Sequence, residues 1–94
     1  MGARKEMTEV LTVDGDFDAA AARDLRPRIE GLALTPGDVT VDMSSAEFID
    51  SSGVGALVYL HKRLVAAGHR LKVVGLKGQP LELLTYLRLA DQLV

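Results

Sequence analysis

The sequence predicts a small α/β domain on a mostly parallel or mixed sheet, and three observations carry that prediction. Short β-branched runs recur along the chain: Val10-Leu11-Thr12-Val13, Val39-Thr40-Val41-Asp42-Met43 and Leu71-Lys72-Val73-Val74. Longer segments with apolar residues at helical spacing separate them. The 94 residues fit one compact domain, 1–94. The order is β-α-β-α-β-α, and such alternation implies helical crossovers between parallel neighbours.

Each element follows from local chemistry. Residues 1–7 are polar and read as a loose leader or a short edge strand. The first strand stops at Asp14-Gly15. A helix is expected from Ala19 to Leu32, with Asp18 as its N-cap and Ala22, Leu25, Ile29 and Leu32 on its apolar face. Pro27 removes a hydrogen bond inside that pattern and predicts either a kink or a start delayed to about Asp24. Thr35-Pro36-Gly37-Asp38 is a turn before the second strand. The next helix is expected over Ser52–Ala67, ending at Gly68, with Val54, Leu57, Val58, His61 and Val65 toward the core. After the third strand, Gln79-Pro80 opens a helix reaching Tyr86 or Arg88, since proline suits a first turn. Leu93-Val94 is read as the start of a last strand.

Composition excludes several classes of function. The chain is 48% hydrophobic but only 4% aromatic, so its core must be aliphatic. A net charge of -2 gives no attraction to nucleic acid or to an acidic membrane surface. With no cysteine there is no disulfide, thiolate ligand or thiol nucleophile, and two histidines make a poor metal site. No apolar run approaches the roughly 20 residues of a spanning helix, and the polar N-terminus lacks a signal-peptide core. A cytoplasmic protein without metal or cofactor is the expectation.

The segment Phe48-Ile49-Asp50-Ser51-Ser52-Gly53-Val54-Gly55 concentrates the chemistry, placing a carboxylate and two hydroxyls between a strand and a helix. A helix start offers free N–H groups and the positive end of the dipole, a favourable place for a phosphate. In a parallel sheet, the rim beyond the carboxyl ends of the strands is where ligands and partners meet the fold. If the first two strands are neighbours, Asp16, Asp18, Asp50 and Ser51 share that rim. Taken alone, Asp-Ser-Ser-Gly is better explained as a helix cap contributing about 1 kcal/mol. Catalytic readings fit poorly. Along one helix Ser51 and His61 would stand about 15 Å apart, and Gly53-x-Gly55 lacks the third glycine of a dinucleotide fingerprint, where Val58 stands.

Gly15-Asp16-Phe17-Asp18, Val41-Asp42-Met43 and Phe48 through Gly55 together resemble the STAS family, over about Val10 to Val94. Such domains occur in bacterial anti-sigma-factor antagonists and in the tails of sulfate transporters. The resemblance implies a four- or five-stranded sheet with about three helices packed against it. It also implies a binding module rather than an enzyme, whose acceptor hydroxyl, here Ser51, is phosphorylated by a GHKL-type anti-sigma kinase. Asp18 and Asp50 then flank the acceptor. Ser52 is the weaker acceptor candidate, and Asp16, Gly53 and Val54 support the partner-binding face.

A phosphate adds roughly -1.5 to -2 charges to an already acidic rim, so it is expected to repel a partner fitted to a neutral hydroxyl. Two other roles fit the same resemblance. One is a subunit docked on the ATPase of a bacterial lipid-transport ABC complex, and the other is a component of a stress-sensing scaffold.

Overall fold

The computed structural model describes residues 8–93. The elements run β1 (Thr8–Thr12), α1 (Ala19–Ala33), β2 (Asp38–Asp42), α2 (Ser51–Ala66), β3 (Leu71–Val74), α3 (Gly78–Tyr86) and α4 (Ala90–Leu93). The strands form a parallel sheet in the order β1-β2-β3, with Val10 opposite Thr40 and Thr40 opposite Lys72. The described residues thus hold three strands, not the four or five expected. The anticipated edge strand in 1–7 lies outside them. Leu93, read as opening a last strand, instead closes the helical turn of α4 and is buried in the core. The chain reaches that turn because Arg88 adopts a left-handed conformation (φ +62°) while the Leu89 N–H donates to the Leu84 carbonyl at 2.8 Å. The reversal makes α4 a short fourth helix among the described residues, close to the expected number of about three.

One face of the sheet carries the core. Alternation in the strands turns Leu11, Val39, Val41, Leu71 and Val73 inward, while Val10, Thr12 and Lys72 stay exposed. Against the inward face pack Ile29 and Leu32 of α1 and Leu57, Leu60 and Leu64 of α2, each such side chain contributing about 1.5–3 kcal/mol. The core is aliphatic except for Phe17.

Two local readings are corrected. α1 starts at Ala19 rather than near Asp24 and continues past Pro27 to Ala33. The Asp18 cap fixes its start, and the missing hydrogen bond falls on an exposed part of the helix at Arg23, where water can satisfy the carbonyl. The buried stripe of α2 is Gly53, Leu57, Leu60 and Leu64. Of the residues expected toward the core, Leu57 is buried and Val54 packs half-buried against it, while Val58 is only half-buried. Val65 is exposed and His61 half-buried. The helix is rotated this way because Gly53 seats it directly on the backbone of Phe17, as described below. Gly68 (φ +85°) ends α2 as anticipated, and the His69 N–H bonds back to the Leu64 carbonyl at 2.8 Å.

Candidate functional site

Beyond β1 and β2 the ladder between the two chain segments becomes irregular, with main-chain bonds from Val13 to Asp42 and from Gly15 to Ser45, and pairing resumes at a parallel bridge between Phe17 and Ile49. The Phe17 N–H donates to the Phe48 carbonyl at 2.8 Å, and the Asp50 N–H donates to the Phe17 carbonyl at 3.3 Å. Each chain then turns at once into a helix, and at each turn the next residue is an aspartate N-cap. Asp18 Oδ1 accepts from the Ala21 N–H at 3.0 Å. Asp50 Oδ1 accepts from the N–H groups of Ser52 at 2.8 Å and Gly53 at 3.2 Å. The bridge therefore gathers Asp16, Asp18, Asp50 and Ser51 on one rim, as the sequence anticipated for neighbouring strands.

Asp50, and not a serine, caps α2. Ser51 is the first helical residue and is exposed, while Ser52 is half-buried. The N–H groups of Ser52 and Gly53 are already taken by the Asp50 carboxylate, so a phosphate on Ser51 would not find them free. It would stand outside the cap, beside a carboxylate.

The remaining residues of the motif differ in what they can reach. Gly53 is buried, and a Cβ there would overlap the Phe17 carbonyl oxygen and come 2.7 Å from Ile49 Cγ1. Its role here is close packing of helix on turn. Val54 is half-buried against the core. Gly55 is exposed with open space around it. Asp16 is exposed beside the bridge. Phe48 is 42% exposed although its carbonyl is tied to Phe17, so an apolar ring stands three residues from the Ser51 hydroxyl. A groove of about 530 Å³ runs between α1 and α2, with Ser52, Gly55 and Tyr59 on one wall and Ala22, Arg23 and Arg26 on the other.

The loop leading into the motif is anchored by groups that sequence reasoning did not single out. The Ser44 hydroxyl and N–H donate to Asp42 Oδ1 at 2.7 and 2.9 Å. These bonds, with Lys77 nearby, hold the Asp42 carboxyl below the usual carboxylate range. Lys77 Nζ donates to the Ser44 carbonyl. Gly75 (φ +78°) lies so close that a Cβ would come 2.7 Å from the Ser44 nitrogen. Gln79 reaches across to the main chain of Ile49. A polar residue at the mouth of a largely apolar helix was the one available signal for Gln79.

No group of histidine, aspartate and glutamate able to hold a metal ion occurs among the described residues. None of their helices is long and apolar enough to cross a membrane.

Comparison with known proteins agrees with this geometry. Residues 4–93 match the STAS domain family. A STAS-domain containing protein of Pseudomonas aeruginosa (strain UCBPP-PA14) is 38% identical over 50 residues, covering 53% of this chain and 50% of that protein. The aligned stretch thus spans about half of that relative's length. Among solved structures, a sulfate transporter family protein from Wolinella succinogenes superposes with a TM-score of 0.77 at 21% identity, over 93% of this chain and 71% of the other. The anti-sigma factor antagonist SpoIIAA in its unphosphorylated form gives 0.72 at 20% identity, over 90% and 79%. At these identities the two structures establish a shared fold.

Proposed function

The chain belongs to the STAS domain family, and from that premise we propose that it is a protein-binding switch of the anti-sigma-factor-antagonist kind, controlled by phosphorylation of Ser51. The observation that carries this reading is the exposed Ser51 at the first position of a helix that Asp50 has already capped. A visiting kinase can reach that hydroxyl without opening the fold. In the step itself the Ser51 Oγ forms a bond to the γ-phosphorus of ATP, the bond to the bridging oxygen breaks, ADP leaves and the hydroxyl proton is released.

The unmodified rim offers a neutral hydroxyl three residues along the chain from the exposed ring of Phe48, an apolar anchor of the kind that dominates interface energetics. The modified rim adds roughly -1.5 to -2 charges next to Asp50 and Asp18. A partner fitted to the first state meets an unpaired like charge in the second, which weakens association. The proposed partner is an anti-sigma factor with GHKL-type kinase activity, and no cofactor is needed on this chain.

Affinity capture from the source cells tests the reading, with wild type, Ser51→Ala and Ser51→Glu as baits. Wild type and Ser51→Ala should retain a GHKL-type kinase, and Ser51→Glu should hold it about a hundredfold more weakly. Equal retention by all three baits would refute a switch at Ser51.

A second reading is favoured by the likeness to the sulfate transporter family protein. There the same rim is a standing contact with a transporter, such as the ATPase of an ABC complex, and Ser51 is an ordinary interface residue. Recovery of a transporter ATPase in place of a kinase would select it.

A further inference from the structure

We propose that Gln79, at the mouth of α3, is the positioning residue that holds the Ser51 turn in the geometry a modifying enzyme meets. This rests on the reading of Ser51 as phosphoacceptor and adds how its turn is kept in place.

The observation is a double hydrogen bond. The Ile49 N–H donates to Gln79 Oε1 at 2.8 Å, and Gln79 Nε2 donates to the Ile49 carbonyl at 2.9 Å. A carboxamide carries one acceptor and a donor group side by side, as a peptide unit does. β3 ends at Val74, and the chain then turns away at Gly75. Among the described residues no strand continues there to pair with the outer edge of Ile49, and the Gln79 side chain takes that place. On the other edge Ile49 bridges to Phe17. Ile49 is therefore held like the middle strand of a three-strand ladder, one residue before the Asp50 cap and two before Ser51.

A second tie reinforces the first. Ser44, at the near end of the same loop, packs closely against Gly75, and its carbonyl accepts from Lys77 Nζ. The segment from Gly75 to Gln79 thus fastens both ends of the 44–49 loop. Between those ties Phe48 stays exposed, and Ser51 stays exposed just beyond them. Releasing the Gln79 tie removes both of its hydrogen bonds to the Ile49 main chain next to the cap, leaving the Phe17 bridge to hold it. The turn then samples other geometries, and apparent affinity for any enzyme needing the native one falls with the population of that geometry.

A substitution series separates hydrogen bonding from packing. Gln79→Met keeps length and apolar contact but neither hydrogen bond. Gln79→Glu keeps the acceptor and loses the donor. Gln79→Ala loses everything. Two readouts are taken: amide-exchange protection at Ile49 by NMR, and the KM and kcat for phosphorylation of the intact chain by its kinase. Protection at Ile49 should fall about tenfold or more in both Ala and Met variants, and less in Glu. KM should rise in the same order with kcat unchanged. Wild-type protection in Gln79→Met would make the role one of packing and overturn the proposal. Lost protection with unchanged KM would also overturn it, because the turn would then not be positioned by the tie. Should Gln79→Ala fail to fold, Met and Glu carry the test. Failure of the wild type to be phosphorylated would remove the reading of Ser51, while the Ile49 protection series would still uphold or overturn the tie itself.

Discussion

The turns into α1 and α2 are two versions of one device. In each, a buried residue of the same bridge, Phe17 or Ile49, is followed by an aspartate that caps a helix. After Asp18 comes Ala19-Ala20-Ala21-Ala22, with no hydroxyl; after Asp50 comes Ser51-Ser52-Gly53. Asp18 accepts one N–H, whereas Asp50 accepts two. The second turn alone carries the glycine seated on Phe17 and the Gln79 tie. The comparison separates scaffold from function. An aspartate cap by itself starts a helix, and the proposed site arises where a cap of that kind is pinned from three sides and bears an exposed hydroxyl.

The largest effect expected from breaking the comparison is at Gly53. In α1 the third residue after the cap is Ala21, which has room for its methyl group; in α2 a methyl group at Gly53 overlaps main chain that cannot yield cheaply. Gly53→Ala should destabilise by about 3 kcal/mol in urea unfolding. Gly55→Ala, two residues on in open space, should stabilise by about 0.5–1 kcal/mol. Equal effects at the two glycines would remove the close seating of α2.

The caps come next. Asp50→Ala should cost about 2 kcal/mol and Asp18→Ala about 1 kcal/mol, following the number of N–H groups each leaves unbonded. The reverse order would show that the α1 turn is the more dependent on its cap. Smaller again is Ser51→Ala, expected to change stability by less than about 0.5 kcal/mol, since the residue is exposed and does not cap. A large loss there would give Ser51 a structural role.

The mildest contrast is in acid. The exit of β2 is tied by the Asp42–Ser44 bonds, which hold the Asp42 carboxyl below its ordinary range. A carboxyl lowered in the folded state stabilises fully above the ordinary carboxylate range and loses that contribution as pH falls through its folded value. The urea midpoint of Ser44→Ala should therefore differ from wild type at neutral pH, with the gap closing at low pH. A gap that widens on acidification would contradict this.

Much of this architecture was legible in the residues. Three β-branched runs, the Asp18 cap and the Gly68 stop are local signals, and β1 to β3 and α1 to α3 formed within a residue or two of their expected places. The rim was legible for the same reason, because parallel neighbours bring their strand ends together. The rest depended on contacts between distant segments. The face of α2 is set by Gly53 meeting Phe17, so hydropathy along one helix found Leu57 and Val54 but also turned the exposed Val65 inward. Leu93 joined a helix because Arg88 reverses the chain and the core has room for it, neither of which a β-leaning dipeptide reveals. The Gln79 tie spans thirty positions in sequence and uses a side chain as a substitute for strand, which no periodicity announces.

The most direct measurement of the central claim is intact-mass and fragment analysis of the chain after incubation with its kinase and ATP. One phosphate should be added to wild type and to Ser52→Ala, with the modified fragment containing Ser51, and none to Ser51→Ala. A phosphate that persists in Ser51→Ala and disappears in Ser52→Ala would place the switch in the groove between α1 and α2 and contradict the account.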